Sequence, residues 1–139
     1  MDNVNFHFDI DGENFTSAGE ASVRIKKLLR EMGFSPDVIR RVSVAMYEGE
    51  INMVIHADGG TADVNVFCDK IEIILADRGP GISDIDLAMQ EGYSTAPDNI
   101  RSLGFGAGMG LPNMKRYTDD MKIESEVGKG TTIYMTVNV

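Results

Sequence analysis

Two glycine-marked stretches decide the fold: Asp77-Arg-Gly-Pro-Gly-Ile82, and the run Leu103-Gly-Phe-Gly-Ala-Gly-Met-Gly-Leu111. The mainly apolar residues 71–75 predict a strand, so Asp77 stands where that strand ends, and its carboxylate can accept hydrogen bonds at the sheet edge. In the second stretch, four evenly spaced glycines remove side chains and let backbone N–H groups approach a phosphate chain. Together the two loops predict a nucleotide pocket.

A long helix is predicted upstream of these loops, from Ser35-Pro36-Asp37 to about His56 or Ala57. Glu48, Asn52 and His56 are spaced four residues apart, which places them in one row along one face. The row is either a solvated polar stripe or a functional face. Its apolar neighbours favour the functional interpretation, because they place the row beside the core. Glutamate and asparagine oxygens suit Mg²⁺, and Glu48 could orient a hydroxyl for attack on a terminal phosphate.

The remaining periodicity predicts one α/β domain over residues 1–139. Alternation predicts strands at 4–10, 62–67, 70–76, 121–126 and 131–139, and helical spacing predicts a first helix ending at Gly33 and a last helix at 112–119. Thr16 or Ser17 is the expected cap of the first helix, and the short connection at 68–69 predicts an antiparallel hairpin. We therefore expect a two-layer sandwich, with a mixed, mainly antiparallel sheet and helices on one face.

The segment between residues 83 and 111 has only weak periodicity, with a possible short helix at 84–90. A stretch of this length inside a compact domain is usually functional or disordered. We expect residues 91–109 to form a mobile lid over the nucleotide.

The charge excludes some classes of partner. A formal net charge of −9 disfavours nucleic acid, and no cluster of basic residues offsets it. The same charge repels a triphosphate, so ATP binding would need Mg²⁺ and backbone N–H groups. No apolar run approaches the length of a membrane span, and the single cysteine cannot form an internal disulfide. We expect a cytoplasmic protein with no membrane contact.

Four motifs occur in a fixed order: Glu48-x-x-x-Asn52-x-x-x-His56, Asp77-x-Gly79-x-Gly81, Gly106-x-Gly108-Met-Gly110-Leu111 and Gly128-x-Gly130-Thr131. This series resembles the N, G1, G2 and G3 boxes of the Bergerat-fold (GHKL) ATPases, which include DNA gyrase, histidine kinases and MutL. Each box alone is weak, but four in order on the predicted helix, strand end, loop and turn are specific. They cover roughly residues 38–135.

The length favours one branch of that superfamily. With one strand and one helix before the asparagine helix, and an end at Val139, the chain resembles the small stand-alone bacterial anti-sigma factor serine/threonine kinases and their switch-protein relatives. Gly92-Tyr-Ser-Thr95 and Gly110-Leu-Pro-Asn-Met-Lys115 look most like the switch-kinase branch. The resemblance also implies a homodimer.

The resemblance implies a role for each motif residue. Glu48 would be the catalytic base, acting on the serine or threonine of a STAS-domain anti-anti-sigma partner, and Asn52 would hold Mg²⁺. Asp77 would accept from the adenine amino group, with Thr131 supporting that end of the nucleotide. His56 either contributes to the site or only closes the helix. The other expected ATP contacts are Gly79, Gly81, Ile82, Gly104, Gly106, Gly108, Met109, Gly110 and Leu111.

Several functions stay open at this point. The first is an ATP-dependent kinase that regulates transcription by partner switching. The second is an ATP-gated module that sequesters a sigma factor or activates a phosphatase with little turnover. Glu48 favours the first, because a pure binding module needs no base, whereas the Gly-Leu-Pro-Asn run favours a switch. Two further alternatives are a simple ATPase and a protein that binds no nucleotide, in which the glycines only form turns.

Overall fold

The computed structural model describes residues 3–11, 19–57, 59–79, 81, 89 and 110–139. These residues form five strands and three helices, in the order β1 (Val4–Asp11), α1 (Glu20–Glu31), α2 (Pro36–His56), β2 (Gly59–Val66), β3 (Lys70–Asp77), α3 (Gly110–Arg116), β4 (Asp120–Glu126) and β5 (Gly130–Asn138). The predicted α/β sandwich is confirmed, and each of the five predicted strands is present within two or three residues of its expected bounds.

The sheet has the order β1-β2-β3-β5-β4, and every described pairing is antiparallel. The connections explain why no parallel pair forms. Two helices separate β1 from β2, so the chain can re-enter antiparallel, whereas a single helix would favour a parallel return. β3 and β4 run in the same direction, but β5 lies between them and pairs with both. The expected mixed sheet is therefore antiparallel throughout the described part.

One face of the sheet carries the core. Strand residues alternate between buried and partly exposed positions, as a sheet covered on one side requires. Full burial of such a side chain contributes roughly 1.5–3 kcal/mol. The largest fully buried apolar side chains come from both layers: Ile25, Leu29, Val42, Met46, Val64, Ile71, Ile73, Leu75, Met114, Met135 and Val137.

Helix α2 begins and ends where the sequence predicts. Ser35 is the N-cap, and its side chain accepts a hydrogen bond from the Val38 N–H at 3.3 Å. Proline occupies the first turn, where its missing N–H costs little. The helix ends at His56 and is followed by Ala57. At 21 residues, α2 is long enough to contact both α1 and α3 while crossing the sheet.

Helix α1 begins later than expected. Its N-cap is Gly19, which has no side chain to cap the helix, so the expected cap at Thr16 or Ser17 is wrong in position. Those two residues lie outside the described ranges. The helix ends at Glu31, just before the predicted stop at Gly33.

Helix α3 is displaced towards the glycine run. It spans Gly110–Arg116 rather than the expected 112–119, and its buried residues Leu111 and Met114 face the core. The expected short helix at 84–90 and the expected lid at 91–109 lie outside the described residues, apart from Met89. Among the described helices, none combines the length and the apolar character needed to cross a bilayer.

Candidate functional site

Helix α2 carries the polar row that the sequence singled out. Glu48 and Asn52 are both half-buried, and four residues of helix separate them by about 6 Å along the axis. His56 is the last residue of the helix, and its side chain lies outside the described part. Glu48 and Asn52 therefore lie along the margin of the core, where a side chain is partly desolvated but still accessible to a ligand.

Burial changes the chemistry of Glu48. Its pKa is raised above the ordinary value for glutamate, first because partial burial penalises the charged carboxylate, while a hydrogen bond from the Asn113 side chain opposes the shift. The Nδ2 atom of Asn113 donates to Oε1 of Glu48 at 3.4 Å. A carboxylate with a raised pKa is a stronger base than a solvated one, which suits it to proton abstraction near neutral pH.

The neighbouring carboxylate of Glu50 has a different role. Two residues on a helix differ by about 200° in direction, so Glu50 points away from Glu48 and is only 1% exposed. Its oxygens accept from the backbone N–H groups of Gly19 at 2.9 Å, Ala21 at 3.3 Å and Ser22 at 2.6 Å. Burial raises the pKa of Glu50, and these hydrogen bonds oppose the shift. Glu50 thus caps α1 from a different helix.

Asn52 faces the first residue of α3. A Cβ atom added at Gly110 would lie 2.8 Å from Nδ2 and 2.9 Å from Oδ1 of Asn52, so only glycine fits at position 110 without a shift. The backbone at the end of the glycine run therefore approaches the Asn52 amide closely. Gly110 and Leu111 are the two residues of the predicted phosphate-binding run that the structure describes.

Gly49 is a residue that the motif reasoning missed. A Cβ at this position would collide with the Leu75 side chain and lie 3.5 Å from Sδ of Met114. The missing side chain lets α2 pack tightly against both β3 and α3. A glycine inside a helix costs about 1 kcal/mol relative to alanine, so its presence between Glu48 and Glu50 was a signal for close packing.

Asp77 lies at the far end of the site, where β3 ends. Oδ1 of Asp77 accepts from the Gly79 N–H at 2.9 Å and from the Thr131 N–H at 3.1 Å. Among the described residues, both hydrogen bonds to this carboxylate go to Oδ1. The two backbone donors fix the orientation of the carboxylate, which directs its second oxygen away from them.

The loop after Asp77 packs against two other elements. Gly79 lies against Ala57 at the C-terminal end of α2, since an added Cβ would lie 2.6 Å from that of Ala57. Gly81 has φ +80° and lies against the backbone of Glu126, so both its conformation and its surroundings require glycine. Gly130 in the β4–β5 turn has φ +129° and lies against the Asp77 backbone. The second and the last of the four motifs are thus in direct contact.

Thr131 is 6% exposed and is held by protein groups. Its hydroxyl forms a hydrogen bond with the Ser125 hydroxyl at 2.8 Å, and its backbone N–H donates to Oδ1 of Asp77. Ser125 was not among the predicted site residues. Its position opposite Thr131 in the β4–β5 pairing follows from the register, which the sequence pattern left undefined.

The two ends of the predicted site lie at opposite ends of one segment of α2. Glu48 is at one end, and the Asp77 loop is at the other. From Glu48 to Ala57, beside Gly79, the helix rises about 14 Å, with Asn52 between them. Ile82, Gly104, Gly106, Gly108 and Met109 lie outside the described residues. Within the described part there is no group of three or more His, Cys, Asp or Glu side chains that could hold a metal. A Mg²⁺ ion held by one protein oxygen, phosphates and water is compatible with this donor set.

Comparison with known proteins gives the same family as the motifs. Residues 14–137 match the family model described as a histidine kinase-like ATPase domain. The chain is similar to the serine/threonine-protein kinase RsbT of Bacillus subtilis, with 32% identity over 78% of each chain. It is also similar to the anti-sigma F factor of Clostridium acetobutylicum, with 35% identity over 83% of this chain and 80% of the relative.

Solved structures support the fold. The RsbU and RsbW domains of Rv1364c from Mycobacterium tuberculosis superpose with a TM-score of 0.61 at 18% identity, covering 96% of this chain and 32% of that one. The mycobacterial sensor histidine kinase MprB gives a TM-score of 0.53 at 17% identity, covering 97% of both chains. Because the family model matches residues 14–137, the chain belongs to the histidine kinase-like ATPase domain family, whose domain implies the use of ATP.

Proposed function

We propose that this protein is an ATP-dependent serine/threonine kinase of the anti-sigma factor type, which phosphorylates a STAS-domain anti-anti-sigma partner and regulates transcription by partner switching. The observation that carries the proposal is the half-buried Glu48 carboxylate with its raised pKa, one helical turn from Asn52 and on the face that α3 covers. Two similar proteins are named as a serine/threonine-protein kinase and an anti-sigma factor, which supports the same class of activity.

ATP would lie along the segment of α2 between its C-terminal end and Glu48. At the adenine end, the outer oxygen of Asp77 would accept from the exocyclic amino group, since Oδ1 already accepts two backbone N–H groups. Gly79 and Gly81 would present backbone rather than side chains to the ring, and Thr131 would hold Asp77 in place. Ile82 is proposed as a further contact of the base.

The phosphates would lie beside Asn52 and the glycine run. Gly110 already places backbone against the Asn52 amide, and Gly104, Gly106, Gly108, Met109 and Leu111 are proposed to complete the enclosure through their backbone. Asn52 would supply an oxygen to Mg²⁺, which offsets phosphate charge when bound. Its half-buried position and its single amide oxygen fit an ion that keeps several water and phosphate ligands. We propose that His56, at the end of α2, is a contact rather than a catalytic group.

In the transfer step, Glu48 would accept the proton of the partner's serine or threonine hydroxyl as the hydroxyl oxygen attacks the γ-phosphorus. The bond from the γ-phosphorus to the bridging oxygen breaks, and ADP leaves with the bonding electrons. The step depends on positioning and electrostatics more than on covalent chemistry. Glu48 must be ionised to act, so its raised pKa places the rise in activity above the ordinary pKa of glutamate.

Transfer of labelled phosphate tests this proposal. The protein is incubated with γ-labelled ATP and a STAS-domain protein, and phosphoserine or phosphothreonine is measured on the partner. We expect transfer by the native protein and its loss in Glu48→Gln, which keeps the shape and the Asn113 hydrogen bond. Free phosphate released without any partner would instead indicate a simple ATPase.

An ATP-gated binding module is the second candidate, and the anti-sigma name of several relatives favours it. Such a module would sequester a sigma factor or activate a phosphatase, with ATP controlling the binding surface. The Glu48→Gln variant separates the two functions. A module predicts ATP-dependent partner binding and little transfer in both proteins, whereas a kinase predicts that only transfer is lost. The homodimer implied by the resemblance stays a prediction.

A further inference from the structure

Helix α3 contacts the polar face of α2 through a side chain that none of the motif roles uses. Asn113 lies on the half-buried side of α3, and its Nδ2 atom donates to Glu48 at 3.4 Å. On its other side, the Asn113 Oδ1 atom accepts from Nη1 of Arg116 at 3.1 Å. Arg116, Asn113 and Glu48 thus form a continuous chain of polar contacts from the surface into the site.

The chemistry of the two neighbours fixes the orientation of the Asn113 amide. An ionised carboxylate only accepts hydrogen bonds, and a guanidinium only donates them. Asn113 must therefore present its carbonyl to Arg116 and its NH₂ group to Glu48. If the amide were reversed, its NH₂ group would face the donors of Arg116 and its carbonyl would face the carboxylate of Glu48. The contact with Arg116 therefore disfavours the reversed orientation.

We infer that Asn113 is a positioning residue for Glu48 and that Arg116 holds the Asn113 amide in the orientation that supports the ionised carboxylate. The inference rests on the proposed function for its catalytic consequence, but the arrangement itself stands on the contacts. The same helix places Gly110 against Asn52, so one short element contacts both polar residues of α2. Buried Met114, the residue after Asn113, packs beside Gly49 and anchors that element.

Loss of the Asn113–Glu48 hydrogen bond should change the pKa of Glu48 more than loss of the Arg116–Asn113 hydrogen bond. The bond to Glu48 involves a half-buried charged group, whereas the Arg116 bond is exposed to water and is weaker in effect. Within the described part, burial and the Asn113 amide are the causes acting on the pKa of Glu48, and no charged side chain is among them. Loss of Asn113 therefore leaves burial unopposed and raises the pKa of Glu48 further.

An NMR titration tests the arrangement without substrate or partner. Protein labelled with ¹³C at the glutamate carboxyl carbon is titrated, and the Glu48 resonance is assigned as the one absent from Glu48→Gln. We expect the titration midpoint to move to higher pH in Asn113→Ala and further in Asn113→Asp, which places a like charge beside Glu48. Arg116→Met should move it in the same direction by a smaller amount.

Arg40→Met is the matched control, because it removes an exposed guanidinium near the end of α3, where Arg40 lies 5.5 Å from the Tyr117 ring. We expect it to leave the Glu48 midpoint unchanged. Thermal unfolding of each variant separates positioning from folding, since a purely structural role would lower the melting temperature without moving the midpoint. An unchanged midpoint in folded Asn113→Ala and Asn113→Asp would overturn the inference, and an unchanged midpoint in Arg116→Met alone would overturn the role of Arg116.

Phosphate transfer provides the functional test. In Asn113→Ala we expect the maximal rate to fall by about threefold to tenfold, as the loss of one modest hydrogen bond permits, with the affinity for ATP unchanged. The acid limb of the pH–rate profile should move to higher pH with the Glu48 midpoint. A change in KM for ATP with an unchanged profile would contradict the inference. If the native protein transfers no phosphate, the proposed function fails, but the NMR titration still decides the inference.

Discussion

Glu48 and Glu50 are two carboxylates on one helix whose surroundings have little in common. Glu48 is half-buried, faces α3 and, among the described residues, accepts one long hydrogen bond, from the Asn113 amide. Glu50 is fully buried, faces α1 and accepts three backbone N–H groups. Burial raises the pKa of both, so a shifted pKa alone does not distinguish them.

The difference lies in whether the hydrogen-bonding capacity of each carboxylate is used by the protein. The N–H groups at the start of a helix lack partners within the helix, and an acid there is favoured by the helix dipole. Glu50 meets this need of α1, so it is committed to the fold. Among the described residues only Asn113 donates to Glu48, so within that part of the chain its carboxylate retains capacity for a ligand, as the proposed catalytic role requires. The predictions below test this division, starting with the largest effect.

Glu48→Gln should lower the rate of phosphate transfer by about 10²–10⁴-fold, which is the usual contribution of a positioned general base. The free energy of unfolding and the affinity for ATP should stay close to those of the native protein, because the amide keeps the shape of the side chain. Single-turnover transfer, denaturant unfolding and calorimetry measure the three quantities. Transfer within threefold of the native rate would remove Glu48 from the mechanism.

Glu50→Gln should mainly destabilise the fold. The amide cannot accept from all three N–H groups, so at least one buried donor loses its partner, and we expect a loss of about 3 kcal/mol in the free energy of unfolding. Urea denaturation of this variant and of Glu48→Gln provides the matched comparison. If both variants unfold at the same denaturant concentration as the native protein, the division between the two carboxylates is wrong.

The same variant should change the dependence of stability on pH. Because burial raises the pKa of Glu50, the folded protein retains this proton to higher pH than the unfolded chain does. The free energy of unfolding then falls as the pH rises from the ordinary pKa of glutamate to the raised value. Glu50→Gln should reduce that slope, and an unchanged slope would show that Glu50 does not titrate in this range.

Asp77→Asn should weaken ATP binding by about ten- to a hundredfold, because one hydrogen bond to a charged group is worth roughly 1.5–3 kcal/mol. An asparagine can keep its carbonyl on the Gly79 and Thr131 N–H groups, but it then presents a donor to the adenine amino group. Stability should change little. Calorimetry with ATP and GTP measures the effect, and an unchanged affinity for ATP would mean that the adenine ring binds away from Asp77.

Ser35→Ala gives the smallest expected effect and a control for the capping role of Glu50. Helix α2 is capped locally by the Ser35 hydroxyl, through a single hydrogen bond of 3.3 Å to the Val38 N–H. Its loss should cost about 1 kcal/mol. A cost equal to or greater than that of Glu50→Gln would mean that the capping of α1 by Glu50 contributes less than the contacts indicate.

The sequence predicted most of what is local and little of what depends on register. Helix α2 was placed closely because its cap, proline and periodicity all lie within its own sequence. The start of α1 was misplaced because its cap comes from Glu50, which is 31 residues from Gly19. Ser125 and Asn113 were missed for a similar reason, since each reaches the site only through pairing or packing between distant segments.

The site motifs divide in the same way. Asp77 was predicted at a strand end, and the structure places it there, held by Gly79 and Thr131. The contact between Gly110 and Asn52 brings two motifs together that the sequence could only order along the chain. Glu50 is not one of the specified residues of any motif, and its capping role depends on backbone N–H groups that lie 28 to 31 residues away in the sequence.

The most direct test of the account is a calorimetric titration of the purified protein with ATP, with and without Mg²⁺. We propose that ATP lies between Asp77 and Glu48, with Asn52 beside the phosphates. We therefore expect saturable binding at one ATP per chain, weaker binding without Mg²⁺, and an affinity retained in Glu48→Gln but reduced in Asp77→Asn. The absence of any saturable heat for the folded native protein at millimolar ATP and Mg²⁺ would contradict it.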